Sequence, residues 1–82
     1  MNMELWIAVL LLFGGPDKSQ PMLHTISGPP LESIHLCRED VQTKGLEVYY
    51  KYKAPQGWKL MGAFCSPLLN DYKIDLGEVA FK

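Results

Sequence analysis

The chain has 82 residues, enough for one domain with a small core, and at this size a disulfide, a metal or a partner is often needed to hold the fold. Its formal net charge of −1 supplies no field to recruit nucleic acid or anionic lipid, and two Trp, four Tyr and three Phe are too many for a disordered chain. Two cysteines read as one disulfide in an oxidising compartment, or as two buried thiols in a reducing one.

Residues 1–15 read as a hydrophobic leader or anchor. Leu5 to Phe13 are uniformly apolar with no amphipathic spacing. As a helix the run would be about 14 Å long, about half the hydrocarbon thickness, so it is not a normal membrane span. Its length suits the apolar region of a secretory signal. Against this, Glu4 precedes the run with no Lys or Arg, and Phe13, Pro16 and Asp17 interrupt any small-x-small cleavage site. The alternative is a buried strand or helix of the fold itself, because periodicity does not separate a short apolar run from a core element. Export or membrane association is the favoured expectation.

Residues 16–20 are polar and turn-like, a linker into a domain spanning residues 21–67. Pro21 to Ser27 predicts a short strand, with Met22, His24 and Ile26 on one face. Gly28-Pro29-Pro30 ends it and prepares a helix from Leu31 to about Lys44. Leu31, Ile34, Cys37 and Val41 form its apolar stripe, with Arg38 beside them, and Gly45 reads as its C-cap.

Leu46 to Lys53 alternates apolar and charged residues and predicts a strand. Ala54-Pro55-Gln56-Gly57 predicts a turn, and Trp58 to Cys65 the returning strand of a hairpin. With Lys53 opposite Trp58, Leu46 faces Cys65, and the Cys65 thiol aims at Cys37 on the covering helix. The other hairpin face carries Tyr49, Trp58, Leu60 and Phe64, an apolar set that needs a cover. Residues 68–82 form a tail containing Leu68, Leu69, Ile74, Leu76, Val79 and Phe81, able to add a strand near residues 78–81.

The candidate chemistry is thin. A Cys37–Cys65 bond closing a loop of about 28 residues would contribute roughly 3.5 kcal/mol on the chain-entropy account, a large share of the stability of so small a domain. His24, His35, Cys37 and Cys65 are zinc-ligand types, but they lack the paired short spacings of a structural zinc site. Neighbouring His35 and Cys37 diverge on a helix and make no catalytic dyad, and no glycine-rich phosphate loop is present. Lys44, Lys51, Lys53 and Lys59 interleave with Tyr49, Tyr50, Tyr52 and Trp58, a pattern known from single-strand nucleic-acid binding. With one arginine and no net positive charge, a solvated face is the commoner reading. No enzyme activity, cofactor, metal or nucleic-acid partner is therefore expected.

The layout of Leu5–Phe13, Leu31–Cys37 and Cys65-Ser66-Pro67 resembles that of short proteins encoded by phages: an apolar start, a strand, a Cys-bearing helix and a late Cys-Ser-Pro. Such proteins serve as host-interaction accessories or minor virion parts, so the resemblance implies binding or structural roles and no particular activity.

The expected fold is a small α+β domain, strand–helix–β-hairpin, with one helix on a short antiparallel sheet. The first functional expectation is an exported or membrane-tethered accessory that binds a protein, stapled by Cys37–Cys65, with residues 1–15 available to a membrane. The second is a virion or other assembly component. Its uncleaved apolar start and its Tyr49, Trp58, Leu60 and Phe64 face would then be subunit contacts, with both cysteines reduced.

Overall fold

In the computed structural model, which describes residues 4–68, 78, 79 and 81, the apolar run near the start forms the middle of a sheet. Strand β1 (Leu5–Gly14) pairs antiparallel with β2 (Met22–Ser27) on one side and with β3 (Trp58–Leu68) on the other. A short β4 (Glu78–Val79) joins β2 in parallel, giving the order β3-β1-β2-β4. A strand flanked on both sides and buried on both faces needs a near-continuous apolar sequence, which is what Leu5 to Phe13 supplies. Ala8, Val9, Leu10 and Leu12 are all essentially inaccessible. Removing Leu5–Gly14 would take away the common partner of β2 and β3, so the segment expected to be a leader or anchor is the centre of this fold.

The α+β class, with one helix across a short antiparallel sheet, is the observed architecture. The order of its parts differs from the expected hairpin, because Leu46 to Lys53 is helical. The helix α1 (Ile34–Asp40) runs on through a π-helical stretch (Val41–Gly45), a second α turn, α2 (Leu46–Val48), another π-helical stretch (Tyr49–Lys53) and a 3-10 turn (Ala54–Gln56). Val41, Leu46, Tyr49 and Ala54 at the junctions all keep right-handed helical dihedrals, so the segment 34–56 is unbroken.

The buried row explains the conformation. Cys37, Val41, Gly45 and Tyr49 recur every four residues and are all buried. In an α-helix of about 3.6 residues per turn, each step of four overshoots a full turn by about 40° and the row would wind off the sheet. The wider π turns absorb that overshoot and hold the row over one face. The alternation of Leu46, Val48, Tyr50 and Tyr52 is incidental to this period. Tyr50 and Tyr52 are exposed.

The helix begins later than Leu31 because Leu31 is engaged elsewhere. Its main chain exchanges two hydrogen bonds with Trp6, both 2.7 Å, as an isolated extension of the sheet. Ser33 then caps the helix, its hydroxyl accepting from the amides of His35 and Leu36 at 3.1 and 3.5 Å. The far end stops at Gly57, whose φ of 92° is the left-handed conformation that favours glycine, rather than at Gly45.

Gly45 has a different use. A Cβ there would lie 2.8 Å from two ring atoms of Phe81, and one on Gly28 would lie 2.7 Å from the same ring. Phe81 is buried between these two glycines, with its amide donating to Ser27 C=O at 3.3 Å. The late strand expected near residues 78–81 is present as β4, while Leu69, Ile74 and Leu76 lie outside the described residues.

The core lies between the helical segment and one sheet face. It joins Ala8, Leu10, Leu12 and Ile26 with Cys37, Val41, Tyr49 and Phe81, and Trp6, Trp58, Leu60 and Cys65 pack at its margin.

Candidate interaction site at the disulfide and the edge strand

Cys37 and Cys65 are joined in a disulfide, with Cα atoms 6.1 Å apart and 28 residues between them in sequence. Cys37 belongs to the buried row of the helix. Cys65 sits opposite Ala8 in the β1–β3 register, so β1 takes the place that Leu46 had in the expected pairing. The bond fastens the helix to β3, which lies at the edge of the sheet, and both described cysteines are consumed by it.

The four residues expected on one solvent face are divided by the fold. Tyr49, Trp58 and Leu60 come together on the core side. The Tyr49 hydroxyl donates to Trp58 C=O at 2.7 Å and accepts from the Leu60 amide at 3.1 Å. His24 stacks on Trp58 with ring centroids 5.1 Å apart. Phe64 stands apart from this cluster because a register shift opposite Leu11 and Leu12 inverts the alternation of β3 beyond Leu60. It is half exposed on the other sheet face, across from Val9, as are Phe13 and its β2 neighbour Leu23.

Main-chain pairing defines what β3 leaves open. Gly28 N–H donates to Ala8 C=O, and Trp6 bonds Leu31, so even-numbered residues here turn their main-chain groups toward the β2 side. Odd-numbered Ile7 and Val9 therefore bond β3, through their register partners Ser66 and Phe64. The intervening Ala63, Cys65 and Pro67 direct theirs outward. At the start of β3 the Trp58 carbonyl and the Leu60 amide are already taken by the Tyr49 hydroxyl. At its end Pro67 has no N–H to offer, a common way of blunting an edge. Among the described residues, Ala63 and Cys65 are the open window between them.

Beside that window lies an open groove of about 400 Å³, lined by Ile34, Arg38, Val41 and Gln42 from the helix and Ala63, Phe64 and Cys65 from β3. Arg38 is exposed and makes no ion pair with another described residue. In the sequence Arg38 is only a neighbour of the apolar stripe. Without the edge position of β3 nothing marked it.

Among the described residues two carboxylates are perturbed. Asp40 is held above its ordinary value by desolvation, against the pull of Lys44, and its Oδ2 is buried with no hydrogen-bond partner among the described residues. Asp17, in the β1–β2 loop, is lowered by hydrogen bonds from the Ser19 hydroxyl at 2.7 Å and the Ser19 amide at 3.0 Å. Among the described residues no three His, Cys, Asp or Glu side chains gather as a metal site, and no helix is long and apolar enough to cross a membrane.

Comparison with protein-family models, curated protein sequences and solved structures finds no match to this chain.

Proposed function

We propose that the chain is a small non-enzymatic binding protein of an oxidising, extracytoplasmic setting, an exported or membrane-associated accessory that recognises another protein. The observation that carries this reading is the Cys37–Cys65 disulfide, which ties the helix to an edge strand. Such bonds persist chiefly in oxidising compartments. A fold locked in this way presents its edge and its apolar residues in a fixed arrangement, which lowers the entropy cost of binding.

A second reading, an assembly component such as a virion part, has its own support. Phe13, Leu23 and Phe64 share the sheet face away from the helix and are at least 38% exposed, as a subunit contact would be in the separated chain. The fold also uses Leu5–Gly14 as its central strand, so an uncleaved start suits this reading.

Photo-cross-linking separates the two. A photoreactive residue replacing Phe64, in the natural source and without reductant, should give an adduct with a different protein, and the same residue at Lys18 should not. A ladder of multiples of the chain mass would favour assembly instead. Equal yields from both positions would contradict a specific surface of either kind.

A further inference from the structure

We infer that the groove between α1 and the outer edge of β3 receives an extended peptide that adds as a strand at Ala63 and Cys65 and places a carboxylate on Arg38. This rests on the binding reading above and names the site and chemistry of the partner.

Three features point to this occupant. Ala63 and Cys65 turn main-chain donors and acceptors outward with no partner strand among the described residues, and main-chain bonding to such an edge is a general mode of peptide capture. The window is short, closed by the Tyr49 hydroxyl on Trp58 and Leu60 at one end and by Pro67 at the other. It therefore fits a few residues of a peptide rather than the full length of another sheet. The groove alongside has apolar walls from Ile34 and Val41 for one side chain, and a single cation, Arg38. A guanidinium pairs with carboxylate through two parallel hydrogen bonds.

A second copy of this chain fits less well. Antiparallel self-pairing centred on Phe64 would set Gly62–Ser66 of one chain against the same segment of the other, and that segment contains no Asp or Glu to meet Arg38. Charge complementarity thus favours an acidic peptide over self-association.

The test uses the full-length oxidised protein and two fluorescein-labelled, acetylated peptides, Thr-Val-Thr-Glu-Val-Thr-Gly amide and the same sequence with Gln for Glu. Fluorescence anisotropy should show the Glu peptide binding about tenfold more tightly than the Gln peptide, the size of one charge-assisted contact. Arg38→Gln, an exposed change that leaves the core intact, should erase that difference. Ala63→Pro should abolish binding of both peptides, and titration followed by amide NMR should move the Ala63 and Cys65 signals. Equal affinity for the two peptides, or no binding of either at about millimolar concentration, would overturn the inference. So would shifts confined to the Phe13–Leu23 face, or a dimer through β3 that the Glu peptide does not displace. If cross-linking finds a protein partner while the peptides fail, the groove assignment falls and the binding reading stands.

Discussion

Tyr49 occupies, beside Trp58, the place of a neighbouring strand: its hydroxyl donates to the Trp58 carbonyl at 2.7 Å and accepts from the amide two residues on. One side chain of the helix thereby satisfies a carbonyl and an amide at the start of an edge strand. Tyr49→Phe keeps the buried ring and orphans both groups, so unfolding free energy should fall by about 1–3 kcal/mol. In hydrogen exchange the Leu60 amide should lose protection more than its neighbours. An unchanged denaturation midpoint would mean that water serves both groups equally well.

Reduction, or the double change Cys37→Ala with Cys65→Ala, should lower Tm markedly, with a loss approaching roughly 3.5 kcal/mol. Helix and edge strand follow one another in the chain at Gly57, and the bond ties α1 to the far part of β3, 28 residues away in sequence. Thermal melts with and without reductant check this. Coincident curves would mean that the packing of Val41 and Tyr49 holds the helix without the bond.

Gly45→Ala should destabilise, although alanine is the better helix former by about 1 kcal/mol. The added Cβ would meet the Phe81 ring at 2.8 Å, and Gly28 closes the other side of that ring. The expected net loss is about 1–2 kcal/mol. A gain in Tm would show that Phe81 has room to withdraw.

Asp40 gives a pH dependence with a defined sign. Its native value is raised above 3.8 by desolvation, so between that ordinary value and the raised one the native chain holds more protons than the unfolded chain. The stability it contributes is full below the ordinary value and is lost as pH rises through the native one. Asp40→Asn removes the charge and keeps the shape, so it should gain stability relative to the parent as pH rises from 4 to 7. Denaturation at the two pH values measures the difference. A variant that gains equally at both would assign the effect to packing.

Much of this was legible in the sequence, though partly for reasons the structure revises. The helical spacing of the stripe from Leu31 to Val41 shows Cys37 facing inward, and the alternation of β3 does the same for Cys65. The strand beside Cys65 is β1, however, and not Leu46–Lys53. Two periods competed in that segment: the alternation of Val48, Tyr50 and Tyr52, and the four-residue recurrence of Cys37, Val41, Gly45 and Tyr49. The second won because it continues an existing helix and supplies the buried row, whereas the first leaves Tyr50 and Tyr52 in solvent. Gly45 looks like a cap in the sequence but lies inside the continuous segment, in right-handed helical conformation. The groove at Arg38 was not legible, since it depends on which strand lies at the sheet edge, a long-range property of the topology.

The central claim is that the functional protein keeps Leu5–Gly14 as the core of its sheet and carries Cys37 and Cys65 as a disulfide. Intact mass of the protein from its natural source, alkylated before and after reduction, tests both parts at once. The expected result is a chain that includes Leu5–Gly14, lighter than the reduced form by two hydrogens, with no alkyl group added until reductant is present. A product lacking that segment, or one alkylated at both cysteines without reduction, would contradict it.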